Sequence, residues 1–108
     1  MYDKLLKPIK EIVLTKTNTG SSRHLYVIRV KDRNKLAKYL VKKKIPVQFH
    51  YPYSLNKLKA FRNKFKKTKL RNSELWAKQC LSLPIHPNLK TKELLYIVNQ
   101  IKRFFSYI

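Results

Sequence analysis

The chain is short of thiols, glycine and negative charge: it has one cysteine, one glycine and five carboxylate side chains in 108 residues. Each scarcity excludes a class of function. The lone Cys80 cannot form an internal disulfide, gives no sign of an oxidising compartment, and reads as a buried thiol. Only three histidines are present, His24, His50 and His86, and they are far apart in the chain. A metal centre needs three or four converging ligands, so none is expected. The single glycine, Gly20, leaves no Gly-rich loop to cradle phosphates, and neither a Walker pattern nor a nucleophile-elbow serine occurs. Asp3, Glu11, Asp32, Glu74 and Glu93 are scattered, mostly where helix starts favour negative charge, and none forms an acid–base pair. No catalytic residue is therefore assigned. The first ten residues hold no apolar run of signal-peptide length, and no stretch approaches the roughly 20 residues of a membrane span. A cytoplasmic, soluble protein with no membrane partner is the expectation.

What the chain has in excess is positive charge. Twenty-six basic residues leave a formal net charge of +21. Such a balance is compatible with a small basic RNA- or DNA-binding protein. However, 20 of the 26 are lysine, whereas base edges and bidentate phosphate contacts favour arginine. The lysines accompany abundant Asn and Ile, which fits a surface that drifted with genome composition. On that reading nucleic-acid binding would be weak and non-specific. With 44% hydrophobic and 12% aromatic residues the chain is folded rather than disordered, and its length suits one domain over residues 1–108.

Along the chain, residues 17–22 form a turn or mobile loop around Gly20 that separates a short segment, residues 11–14, from the clearest strand, residues 24–30. That strand is apolar on both faces, Leu25 and Val27 on one and Tyr26, Ile28 and Val30 on the other, which places it inside a sheet. Asp32 offers an N-cap to a helix over residues 34–43 carrying Leu36, Ala37, Leu40 and Val41, ending before Pro46. Residues 46–51 alternate like a second strand. Residues 54–67 suit a basic amphipathic helix through Leu55, Leu58, Phe61 and Phe65, although an ordered loop would look similar. Asn72 or Ser73 caps a further helix with Leu75, Trp76, Gln79 and Cys80. Residues 81–85 resemble a third strand whose Pro84 marks an edge or the end of pairing. A last helix over residues 91–105 shows Leu94, Ile97, Val98, Ile101 and Phe105 as one apolar stripe. The fold class expected is α+β: a small antiparallel or mixed three-stranded sheet with helices packed on one face.

Two stretches carry side chains suited to a site. Phe49-His50-Tyr51-Pro52-Tyr53 sets an imidazole and two phenols at a strand exit, where they can hydrogen-bond an anionic or polyhydroxylated ligand while their rings pack on it. The same residues could instead close the core around a turn. Leu81-Ser82-Leu83-Pro84-Ile85-His86-Pro87 is stiffened by its prolines and reads as structural.

These two stretches, about thirty residues apart, resemble the C-terminal part of the DegT/DnrJ/StrS aminotransferases, enzymes that use pyridoxal phosphate to aminate keto-sugars linked to nucleotides. The resemblance extends to residues 24–30, to Arg33-Asn34-Lys35-Leu36 and to the last helix, from about residue 9 to residue 105. It implies the small C-terminal domain of such an enzyme, which closes the sugar site, with His50 and Tyr51 as the residues that reach the substrate. It also implies that the cofactor's lysine, phosphate loop and pyridine-pairing aspartate lie in a large domain absent from residues 1–108. The chain alone would then bind no cofactor and would act as a fragment or split subunit beside a separate cofactor-binding domain or subunit, with a nucleotide-sugar substrate in the complete enzyme. Two departures stand out: Asn56 sits near the place of a second family histidine, and Lys44 replaces a glycine usual before the second strand.

Overall fold

The structure is a computed structural model that describes residues 1–15, 25–51, 53–54, 57–59, 63–64 and 70–107. Helix α1 (Tyr2–Leu6) leads into β1 (Ile12–Leu14), followed by β2 (Tyr26–Val30), α2 (Arg33–Lys42), α3 (Arg71–Gln79), β3 (Cys80–Leu83) and α4 (Thr91–Phe104). The three strands form one antiparallel sheet in the order β1-β2-β3. The architecture is the expected α+β, and β2, apolar on both faces, is the central strand.

Strand alternation decides what each face meets. Tyr26, Ile28 and Val30 are buried, whereas Val27 and Arg29 are only half-buried. Ile28 stands opposite Leu81 and Tyr26 opposite Leu83, so β3 adds to the same apolar surface. Onto it pack Leu6 and Tyr2 of α1, Leu36, Ala37 and Leu40 of α2, and Ile97, Val98 and Ile101 of α4. Full burial of each such aliphatic side chain contributes roughly 1.5–3 kcal/mol, and this face is the main source of stability. Helix α4 forms as its stripe predicts, with Leu94 and Phe105 packed at the margin. Helix α1 is not expected from the sequence. It is tied down by Tyr2, whose ring lies 4.6 Å from that of Tyr26 and whose hydroxyl donates to the Pro84 carbonyl at 2.7 Å. Burial pushes the Tyr2 phenol above its usual titration range.

Two helix ends depart from expectation. Asp32 is the N-cap of α2, but its side chain makes no capping bond. Helix α3 begins at Arg71 with Leu70 as N-cap, rather than at Asn72 or Ser73. There the Glu74 carboxylate accepts the Leu70 N–H at 2.8 Å, and that bond, aided by Lys57 at 3.2 Å, holds its pKa below the usual value.

The end of α2 bears out the departure at Lys44. The Lys44 N–H bonds the Val41 carbonyl (3.0 Å) and the Ile45 N–H bonds the Leu40 carbonyl (2.9 Å), while Lys44 has φ +63°. This is a Schellman cap, in which the left-handed residue is usually glycine because a Cβ clashes there.

Residues 46–51 do not form the expected second strand. They make one isolated antiparallel bridge, Gln48 opposite Ser82, with both hydrogen bonds present. The next hydrogen-bonded rung would set Pro46 against Pro84, and neither has an N–H to donate. The alternation itself survives: Val47 and Phe49 pack against the core cluster, while Gln48 is exposed and the His50 ring reaches Ser82. The expected helix over residues 54–67 and the turn over residues 17–22 lie largely or wholly outside the described residues.

Candidate ligand site on the open face of the sheet

Cys80 and Ser82 alternate with Leu81 and Leu83, so they point away from the helix-covered core, beside Arg29 and Val27 of β2. Ser82 is buried, and its hydroxyl lies 2.7 Å from Nδ1 of His50. The direction of that bond follows the imidazole tautomer. The backbone carbonyl of His50 accepts the Trp76 indole N–H at 3.4 Å. A sheet hydroxyl and a helix indole thus fix the His50 residue at ring and backbone. His50 is half-buried, whereas Tyr51 is 70% exposed, with its ring set edge-on to the imidazole at 5.5 Å.

An open cleft of about 710 Å³ lies in front of these groups, lined by His50, Tyr51, Tyr53, Ser54, Trp76 and residues of the first turns of α3. Its floor is mostly aromatic and its polar groups are few, an arrangement that suits a ligand with both apolar faces and hydroxyls. Tyr53 is 66% exposed at the same mouth.

Behind the cleft lies a buried polar layer. Arg33 is only 7% exposed; it donates to the Cys80 carbonyl at 2.9 Å and to Asn34 Oδ1 at 2.9 Å, and its guanidinium stacks 4.0 Å over the Phe49 ring. The Cys80 thiol donates to the Tyr51 carbonyl at 3.5 Å. Burial pushes that thiol's pKa up, and the nearby Arg33 charge only partly opposes the rise. Cys80 is fully buried, as a structural thiol should be.

The sequence singled out His50 and Tyr51, and both lie at the cleft. It read Ser82 as structural and gave Trp76 no role beyond helix periodicity, yet these two hold His50 in place. The signal available for Ser82 was its register: a polar residue alternating with Leu81 and Leu83 has to face the other side. His86 lies in a different cleft, with Lys44, Pro46 and Tyr96, so His50 and His86 do not converge. His24, Pro52 and Asn56 lie outside the described residues. Among the described residues no group of three or more His, Cys, Asp or Glu could hold a metal ion, and no helix is long and apolar enough to cross a membrane.

Helices α1, α2 and α4 thus cover one face of the sheet, while α3 stands on the other beside the aromatic, histidine-bearing cleft. The DegT/DnrJ/EryC1/StrS aminotransferase family matches this chain over residues 1–102, and the chain belongs to that family. Among curated relatives, a pleiotropic regulatory protein of Geobacillus stearothermophilus is 30% identical over 111 residues, covering 98% of this chain and 30% of its own length. The dTDP-3-amino-3,6-dideoxy-alpha-D-galactopyranose transaminase of Aneurinibacillus thermoaerophilus is 32% identical over 81 residues, covering 75% of this chain and 22% of its own. Among solved structures, S. venezuelae DesV in complex with a ketimine intermediate superposes with a TM-score of 0.87 at 26% identity, over 95% of this chain and 29% of DesV. The chain thus spans less than a third of the length of these relatives.

Proposed function

We propose that this chain forms the sugar-facing wall of a nucleotide-sugar aminotransferase and acts together with a cofactor-bearing domain or subunit. The observation that carries this reading is the anchoring of His50. Ser82 occupies Nδ1, which leaves Nε2 for a ligand, and Tyr51 stands exposed beside it at the mouth of an aromatic cleft. An imidazole nitrogen and a phenol hydroxyl can each hydrogen-bond a sugar hydroxyl or a phosphate oxygen, while the Trp76 and Tyr53 rings offer apolar surface to a pyranose. Their role is to bind and orient the sugar, not to move its amino group.

Pyridoxal phosphate supplies the electron sink of transamination when bound, and it is held through a lysine in a pocket beside an acid and a phosphate loop. The described lysines do not fit that role, because all are exposed except Lys102, which is half-buried in the last turn of α4. No step is assigned to them, and on this proposal the cofactor is held by the other part.

Two measurements test the reading. The chain mixed with pyridoxal phosphate and reduced with borohydride should show only diffuse labelling of surface lysines; one lysine labelled selectively and stoichiometrically would overturn the division of labour. Paired with a cofactor-bearing part of a relative, His50→Ala should slow amino transfer to a nucleotide keto-sugar about tenfold, the loss of one ligand hydrogen bond of roughly 1.4 kcal/mol, with the cofactor's absorbance unchanged. Unaltered transfer would remove His50 from the sugar site.

A further inference from the structure

The positive charge is not spread evenly along the chain. Residues 33–73 contain 14 of the 26 basic side chains and none of the five acidic ones. Within that stretch α2 is the described helix that carries its lysines in register. Lys35, Lys38 and Lys42 are spaced three and four residues apart and all are exposed. That spacing makes them neighbours on one helix face, with Cβ atoms about 5–6 Å apart, and the stripe runs about 10 Å along the axis. Lys44, held in the left-handed cap, lies apart from this row in a cleft with Lys92 and Glu93 of α4. Among the described residues no carboxylate pairs with the three stripe lysines, whereas Lys57 has Glu74 at 3.2 Å. Lys35 also lies in the first turn of α2, where the helix dipole disfavours a cation. The fold therefore keeps a row of uncompensated ammonium groups at some cost in stability.

We infer that the lysine stripe of α2 is a docking surface for the phosphate backbone of nucleic acid, read without regard to sequence. A 10 Å stretch of duplex presents about six phosphate charges, more than the stripe can neutralise, so every lysine gains a partner. The row has no arginine fork for base edges, which makes the contact electrostatic and sequence-blind. An anionic membrane suits the surface less well. Helices that lie on bilayers insert an apolar face, and here Leu36 and Leu40 are fully buried in the core, with Ala37 nearly so. The stripe is also separate from the His50 cleft. Helix α2 packs through Leu36 and Leu40 on the Ile28 face of the sheet, while His50 is anchored to Ser82 on the other. Sugar-site and backbone-binding functions can therefore stand or fall independently.

The experiment is a fluorescence-anisotropy titration of a labelled 20-base-pair duplex and a labelled 20-nucleotide single strand with the full chain, at several salt concentrations from 50 to 200 mM. Three proteins are compared: the unaltered chain, K35Q/K38Q/K42Q, and a control, K4Q/K7Q/K78Q, that removes three exposed lysines elsewhere. Glutamine keeps helix propensity close to that of lysine, so all three should fold alike by circular dichroism. The unaltered chain should bind both nucleic acids and lose at least about tenfold in affinity across that salt range. The α2 variant should show a duplex salt slope shallower by about 2.7, since each lost phosphate contact removes about 0.9. The control should change its slope by less than about 1. Equal losses in the two variants would show a diffuse charge effect and overturn the proposal. So would the absence of binding at 50 mM salt.

Discussion

On one face of β2, Tyr26, Ile28 and Val30 are sealed under three helices; on the other, Val27 and Arg29 stay half-exposed and the neighbouring strand offers a hydroxyl and a thiol. Both faces come from the same strands, offset by one residue. The covered face is built mostly from aliphatic side chains that need only fit, with Tyr2 and Tyr26 as its hydrogen-bonded exceptions. The open face is built from directed bonds: Ser82 to His50, Trp76 to the His50 carbonyl, Arg33 to the Cys80 carbonyl. A non-directional surface supplies stability, while hydrogen bonds fix where an imidazole stands. A site can thus be held to position without being part of the core.

The largest expected effect in this contrast belongs to Leu81→Ala. Leu81 is fully buried opposite Ile28, so its loss should leave a cavity and cost about 2–5 kcal/mol in a urea or guanidinium titration. A cost under about 1 kcal/mol would mean that the helix-covered face does not dominate stability.

His50→Ala probes the other face. A solvent-facing histidine would cost no more than about 0.5 kcal/mol. The bond to buried Ser82 raises the expectation to about 1–3 kcal/mol, because the serine hydroxyl loses its partner. Tyr51→Ala, at a 70% exposed position, should stay within about 0.5 kcal/mol. If the two substitutions cost the same, the anchoring of His50 is not what distinguishes these neighbours.

A smaller effect is expected at the turn that joins the two faces. Lys44→Gly should stabilise the chain by about 1 kcal/mol, because glycine accepts the left-handed conformation that lysine occupies at φ +63°. A destabilisation in thermal melting would show that the Lys44 side chain contributes more than its backbone strain removes.

Much of the fold was legible from pattern. The apolar side chains on both faces of residues 24–30 placed β2 inside the sheet, and the stripe from Leu94 to Phe105 marked α4. Resemblance pointed to the missing glycine at Lys44, where the helix cap indeed requires a left-handed residue. Residues 46–51 misled because alternation reports which way side chains point, not whether N–H groups find carbonyls. Helix α1 is invisible to pattern because five residues are too few to show a helical period, and its order comes from Tyr2 reaching Tyr26 and Pro84.

Local spacing and short motifs were enough to set the fold class, the apolar face of each long element and the family resemblance, and that resemblance named His50 and Tyr51 as candidates. Packing in three dimensions was needed to bring Ser82 and Trp76 onto His50, to bury Arg33 over Phe49, and to put the lysine stripe and the cleft on opposite sides of the sheet. The physical reason is distance along the chain. His50 and Ser82 are 32 residues apart, and Arg33 and Cys80 are 47 apart. Such partners are brought together by strand register and helix packing, which no local pattern encodes.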